Sequence, residues 1–530
     1  MGNDSLLLSS GTVYDGLGSP GRTADVLVRD GRIASISDVP LRVPSARRID
    51  CTGRVVAPGF VDTHAHSDLV PLLPDPQPFK LLQGVTTEIV GNCGISFAPL
   101  DHAAAESAAD LVGNLAKGVA VEPGGFAALL DRLAEAGPTN NMAMLVGHNA
   151  LRLSANGTEP ELAPSALARM ERLAAEAFEA GAVGFSTGLI YSPGSFAGIE
   201  ELTALARVAA RFGGLYATHM RDEGRRLEAA MGEAVTVARQ AGIRLQISHC
   251  KVAGRGNHGK AATLVRTLEA ARLDGVDVYG DQYPYAAGST VLLALLPTRA
   301  TAGGATALAE RLSDPSVRAL LRSDADRGEP GDGLWAACTP DDVLIIDHTD
   351  AGVVGLTLAE VCRSRDEHPF EALCRLVGED PRAEAALTLM AESDVRTIMA
   401  SPLVGIGSDS GVPIGLQHPR TWGSFPTVLG RYVRELAVLD LPEALRKATS
   451  FGARQFRLTG RGALLPGYIA DVTVFDAQTI GHEADYLDPA GPVTGVHTVL
   501  LAGEVVVDDG AFNGSRSGRI LRRGVSTIAS

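Results

Sequence analysis

Two histidines, His64 and His66, close the apolar run Pro58-Gly59-Phe60-Val61-Asp62-Thr63. Side chains at i and i+2 of a strand project to one face, so both imidazoles converge on a single point, most simply a metal ion. A lone His-x-His is weak in a chain with 12 histidines, so the reading depends on ligands at other strand ends. Cys93 follows an apolar run at 85–90, His219 one at 215–218, His249 one at 245–248 and Asp409 one at 404–408. Taken singly, His219 or His249 reads as a hydrogen-bonded histidine and Cys93 as a small buried hydrophobe. Taken together, His64, His66, Cys93, His219, His249 and Asp409 stand at like positions and describe a metal site. Thiolate, imidazole and carboxylate donors suit Zn²⁺ and related borderline ions, and suit Ca²⁺ or Mg²⁺ poorly.

Between about residues 58 and 462, strands alternate with Ala-rich helical segments such as 164–180, 198–212 and 227–241. That alternation predicts βαβ units and a mainly parallel sheet. Strand candidates lie at 85–90, 142–146, 184–187, 215–219, 244–248, 277–281, 343–347 and 403–408. With the 58–62 run they favour an α/β architecture, a closed TIM-like (β/α)8 barrel, whose chemistry sits at the C-terminal ends of its strands. The stretch 285–342, with a Gly/Asp-rich patch near 324–333, fits the alternation poorly and is expected to be an insertion or lid. Residues 1–57 read as short strands with Asp30-Gly31 as a hairpin turn, and 463–530 repeat that style with a turn at Ala502-Gly503. The two ends are expected to pair into one small β-sandwich.

The 530 residues are 45% hydrophobic and 21% charged, an ordinary globular composition. A net charge of −15 argues against nucleic acid as a partner, since nonspecific binding needs a cationic surface to displace counterions. The longest apolar runs, such as 291–296, fall far short of the roughly 20 residues that span a bilayer, so no membrane is expected. The first ten residues lack the basic and apolar regions of a signal peptide, and the six cysteines show no CxxC spacing. These features predict a soluble cytoplasmic protein, a monomer or small homo-oligomer.

The phrases at 56–66, Gly405-Ile406-Gly407-Ser408-Asp409 and Leu465-Pro466-Gly467 resemble the amidohydrolase superfamily. More narrowly, Gly91-Asn92-Cys93-Gly94, the 184–191 stretch, Thr218-His219-Met220-Arg221, Ser248-His249-Cys250-Lys251 and His418-Pro419-Arg420 resemble the D-aminoacylases, the N-acyl-D-amino-acid deacylases. The resemblance implies a tightly held zinc on Cys93, His219 and His249. It also implies a second, weaker site at His64, His66 and Asp409, with Cys93 a candidate bridge. It implies Asp409 as the proton carrier of amide hydrolysis, and Lys251, Tyr283, Arg420 and Tyr191 as the residues that hold a small N-acyl amino acid.

Three positions depart from the family pattern. Cys250 stands where relatives commonly have histidine, leaving inert packing or competition for metal as its roles. Arg299 stands near a place where relatives tend to have an aromatic residue and is expected to add positive charge to the pocket; His348 ends a strand where relatives carry other residues. The resemblance leaves as alternatives a cyclic-amide hydrolase of the dihydroorotase or hydantoinase sort, a dedicated deacylase of a biosynthetic intermediate, and a metal-free non-catalytic relative. The cysteine at position 93 argues against the cyclic-amide alternative, and the six intact ligand positions against the metal-free one.

Overall fold

The computed structural model describes residues 5–329 and 331–524. Eight strands form one all-parallel sheet: β1 (Phe60–Asp62), β2 (Val85–Val90), β3 (Asn141–Gly147), β4 (Gly184–Gly188), β5 (Leu215–His219), β6 (Arg244–Ile247), β7 (Val278–Gln282) and β8 (Val404–Ile406). Each pairs with its sequence neighbour. The seam between β8 and β1 closes just beyond their C-terminal ends. Thr63 Oγ1 donates to the Ile406 carbonyl at 2.9 Å, the Asp409 N–H to the His64 carbonyl at 2.7 Å, and the His66 N–H to the Ser410 carbonyl at 2.7 Å. The barrel is thus closed by the same two segments that carry His64, His66 and Asp409.

Its strands are buried on both faces, as a helix-wrapped parallel sheet requires, and β2, β3, β4 and β5 are buried at every position. The helix Ala166–Ala180 shows how the outer layer packs: Ala166, Met170, Ala174, Ala177 and Phe178 are buried, a stripe at helical spacing that faces the sheet. Small Ala positions let the helix approach closely.

Strands from both chain ends interleave in a second, nine-stranded sheet. Its joint is the antiparallel pairing of Val55–Pro58 with Val472–Phe475, in register Val56 to Val474. Asp30-Gly31 and Ala502-Gly503 both have positive φ at the two central residues of a two-residue hairpin, the geometry that matches strand twist. Residues 513–524 leave this sheet and lie across the N-terminal ends of the barrel strands, with the Leu521 N–H donating to the Met142 carbonyl.

One strand goes elsewhere than the sequence reading places it. Val343–Asp347 belongs to a separate antiparallel three-stranded sheet with Ala287–Val291 and Glu384–Thr388, and so does not complete the barrel. A short apolar run carries no signal for direction or sheet, so Val-Leu-Ile-Ile reads identically in either setting. This layer and its helices lie between β7 and β8 in sequence, and Thr290, Val291, Glu384 and Leu387 face the barrel mouth. Among the described residues no helix is long and apolar enough to cross a membrane.

Candidate metal centre and active site

The barrel brings the six metal candidates to one place at the C-terminal ends of β1, β2, β5, β6 and β8. Cys93 Sγ lies 3.3 Å from His64 Nε2 and 3.4 Å from His249 Nε2, and His249 Nε2 lies 2.9 Å from His219 Nδ1. Asp409 Oδ1 lies 3.4 Å from His64 Nε2 and 3.1 Å from His66 Nε2. One donor atom each from His64, Cys93, His249 and Asp409 fits within 4.8 Å of all the others. All six side chains are buried.

The local backbone is bent to make this possible. Cys93, His249 and Asp409 each have positive φ, at 53°, 35° and 53°, a region that costs a side-chain-bearing residue energy and that clusters at functional sites. Gly91 and Gly188 make room beside Cys93: a Cβ on Gly91 would strike the Leu145 carbonyl, and one on Gly188 the Cys93 carbonyl.

Outer carboxylates fix the rings. Asp281 Oδ1 sits 3.2 Å from His64 Nδ1 and accepts the His249 N–H at 2.7 Å, while Gln246 Nε2 donates to Oδ2 at 2.5 Å. Glu223 Oε1 lies 2.9 Å from His249 Nδ1, and its Oε2 lies 3.6 Å from His219 Nε2. With Asp281 beside the outer nitrogen of His64, and Glu223 and Lys251 beside that of His249, both rings turn Nε2 toward Cys93, the orientation of metal-bound histidine. Burial by itself pushes the Cys93 thiol up, but His64, His249 and His66 outweigh it and hold the group well below the ordinary thiol value. A thiol, four imidazoles and a carboxylate gathered in one buried cluster fit a zinc ion and are hard to reconcile with packing alone.

Cationic and phenolic groups stand beside the cluster. Lys251 Nζ donates to Glu223 Oε1 at 2.7 Å and lies 5.7 Å from the Tyr283 ring centre. The Arg420 guanidinium lies 5.1 Å from the same ring centre and donates to Asp409 Oδ2 at 2.6 Å and to the Ser289 carbonyl at 3.1 Å. Tyr191 hydrogen-bonds through Oη to Thr290 Oγ1 at 3.0 Å, tying the loop after β4 to the inserted layer, and its ring centre is 5.1 Å from that of His219. Lys251, Tyr283, Arg420 and Tyr191 all border the cleft into which the cluster opens.

The departures resolve geometrically. Cys250 turns away from the cluster, its Sγ 3.5 Å from the Ile247 carbonyl and packed over Gly280, and burial raises its thiol far above the ordinary value; it is inert packing. Arg299 does not add charge to the pocket: its side chain is half exposed and paired with Asp324, while Ala300 and Thr301 of the same short helical turn (Thr298–Thr301) are buried. His348 spends both ring nitrogens on backbone, Nδ1 accepting the Asp350 N–H and Nε2 meeting the Leu376 carbonyl. Glu223 and Asp281 are absent from the sequence reading. Asp281 ends a strand candidate, a signal that was present; Glu223 lies in a loop, four residues past His219, with no periodicity to mark it.

Comparison with known proteins agrees with this geometry. Residues 47–507 match the model of the Amidohydrolase family. The chain is 40% identical to an N-acyl-D-glutamate deacylase of Alcaligenes xylosoxydans xylosoxydans, over 98% of this chain and 97% of the relative. The crystal structure of a D-aminoacylase superposes with a TM-score of 0.84 at 36% identity, covering 98% of this chain and 99% of the other. An N-acyl-D-glutamate deacylase from Bordetella bronchiseptica, solved with zinc and a phosphonate mimic of the tetrahedral intermediate, superposes at 0.82 with 34% identity, covering 98% and 100%. The chain belongs to the amidohydrolase family, in the branch that holds the D-aminoacylases and N-acyl-D-amino-acid deacylases.

Proposed function

We propose that the protein hydrolyses the amide bond of N-acyl-D-amino acids, giving a carboxylate and a free D-amino acid. The observation that carries this reading is the placement of a nitrogen, sulfur and oxygen donor cluster beside Lys251, Tyr283 and Arg420 in one cleft, groups able to clamp a carboxylate. A linear amide with a carboxylate on its amine side engages both at once. The relatives named for such deacylations support it.

Cys93, His219 and His249 would hold the first zinc, and His64, His66 and Asp409 a second, weaker site. Bound there, zinc supplies Lewis acidity toward water and the amide carbonyl. Asp409, kept well below the ordinary carboxylate range by Arg420 and the nearby imidazoles despite its burial, is ionised and ready to take a proton. As the water oxygen bonds to the carbonyl carbon, Asp409 accepts its proton; as the C–N bond breaks, that proton passes to the departing nitrogen. Arg420 and Lys251 orient the α-carboxylate, and Tyr191 closes the wall opposite. With the carboxylate held by the clamp and the amide at the donor cluster, the α-carbon would be left one orientation for its side chain, which selects one hand.

The test is amine release from matched N-acetyl-D- and N-acetyl-L-amino acids with zinc supplied and Asp409→Asn as control. D-selective release that vanishes in the control supports the reading; release from neither enantiomer by the zinc-loaded protein overturns it.

A further inference from the structure

We infer that Arg221 is a positioning residue: it holds the loop after β4 so that Tyr191 stands as a fixed wall of the cleft beside the donor cluster. This rests on the deacylase reading above and names a residue that does not line the cleft but on which substrate binding depends.

The loop 189–198 runs from β4 to the helix Ile199–Arg211 and carries Tyr191. Its first residue is fixed to β5, since the Leu189 N–H donates to the His219 carbonyl at 3.0 Å. Its far half is fixed by Arg221, which stands two residues past His219. Arg221 Nη1 donates to the Ser195 carbonyl at 2.7 Å, and Nη2 donates to the Ala197 carbonyl at 2.8 Å. Nε and Nη2 also donate to the two carboxylate oxygens of Glu233, at 3.1 and 3.0 Å, on the helix Leu227–Ala241. Four of the five guanidinium N–H groups are thereby used in one planar fork between loop and helix, which an ammonium cannot reproduce.

Ser195 carries the effect to Tyr191. Its carbonyl accepts from Arg221 while its own N–H donates to the Tyr191 carbonyl at 2.8 Å, and the Tyr191 N–H donates in turn to the Gly188 carbonyl at 3.2 Å. On its other flank the loop presses on the helix after β3, where a Cβ on Gly194 would strike Asn149 Oδ1. The ring that this backbone aims lies against His219 and reaches Thr290 of the inserted layer. Without Arg221 two loop carbonyls lose their donors and Glu233 loses its cation, and the Tyr191 backbone is free to shift. A shift of about 1 Å in a group that positions substrate can cost about 100-fold. Tyr191 meets the body of the substrate and not the atoms that react, which puts the loss in KM.

The experiment measures kcat, KM and bound zinc for wild type, Arg221→Gln, Tyr191→Ala and the double variant, on the N-acetyl-D-amino acid that the wild type hydrolyses fastest. Arg221→Gln should keep its zinc, raise KM by about 30-fold or more and change kcat by less than about threefold. Arg221→Lys, with the charge but not the fork, should behave alike. The double variant should match Tyr191→Ala within about twofold, because Arg221 acts through Tyr191. An unchanged KM in folded Arg221→Gln, losses that multiply in the double variant, or loss of zinc overturns the inference and leaves the deacylase reading intact. Turnover of no N-acetyl-D-amino acid by the zinc-loaded wild type overturns both. Should Arg221→Gln fail to fold, Glu233→Gln carries the same cycle: it leaves the arginine its carbonyl contacts, should raise KM by about fivefold, and overturns the inference if KM is unchanged.

Discussion

Arg420 Nη1 donates to Asp409 Oδ2 at 2.6 Å, and both side chains are less than a tenth exposed. The other carboxylate oxygen, Oδ1, faces His64 and His66, so Asp409 stands between a guanidinium and the donor cluster. In the proposed reaction Arg420 would act twice, keeping Asp409 ionised and holding the substrate's carboxylate. Arg420→Lys keeps the charge and loses the fork. It should lower kcat/KM for an N-acetyl-D-amino acid by about 100-fold, equivalent to roughly 3 kcal/mol. The rate on the corresponding amide, which lacks the carboxylate, should fall far less. Equal losses on acid and amide would assign Arg420 to Asp409 alone.

Cys93 touches both halves of the donor cluster, so its loss should do more than remove one ligand. Cys93→Ala should leave gel filtration with little zinc, while the wild-type protein keeps it. The cobalt-substituted wild type should show thiolate-to-metal charge-transfer absorption that the variant lacks. Retention of zinc by a folded Cys93→Ala protein would place the tight site elsewhere.

The candidate ligands were legible because a barrel gathers residues that stand where strands end, and strand ends can be read from apolar runs closed by a His, Cys or Asp. The residues that orient those ligands were not. Glu223 reaches His249, His219 and Lys251 from a loop whose path depends on the packing of its neighbours, and spacing along the chain does not encode that path. Asp281 could have been found, since it stands one residue before the end of β7 in a run that reads as a strand. The inserted sheet failed for a different reason: Val343–Asp347 has the composition of a barrel strand, and only its antiparallel partner Glu384–Thr388, whose Glu-Ala-Ala-Leu-Thr is weak as a strand signal, shows where it belongs.

Glu223 gives the next test. Burial opposes its charge, but Lys251, His219 and His249 together hold the carboxylate well below its ordinary range. Glu223→Gln keeps the shape and removes the charge that fixes His249 and steadies Lys251. Zinc affinity should fall about 10- to 100-fold, read by competition with a chelating dye. Unchanged affinity would show that backbone geometry alone holds the rings.

Lys80 is fully buried, donating to Asp62 at 2.5 Å, Ser408 Oγ at 3.0 Å and Ser410 Oγ at 2.7 Å, with Glu88 at 3.4 Å. It ties the end of β1 to the segment that carries Asp409. Lys80→Met leaves two buried carboxylates without their cation and should cost about 3–5 kcal/mol, seen as a lower urea midpoint. Adding Asp62→Asn should recover part of that loss. A double variant no more stable than the single one would mean that the ammonium's hydroxyl contacts, and not its charge, matter.

Glu201 carries the pH prediction, since it lies away from the donor cluster. Burial alone would raise its pKa, but the hydrogen bond with His148 at 2.8 Å and the Arg152 guanidinium at 2.6 Å outweigh that and hold it below the ordinary 4.5. A carboxylate whose folded value is depressed adds stability above its unfolded pKa, and that contribution is lost as pH falls through the folded value. Glu201→Gln should therefore be markedly less stable than wild type at pH 7. The gap should begin to close below about pH 4.5, as the wild-type unfolded chain takes up the proton first. Urea midpoints measured for both proteins from pH 7 to 3.5 decide it, and a gap that stays constant over that range would mean that Glu201 acts through shape and not through charge.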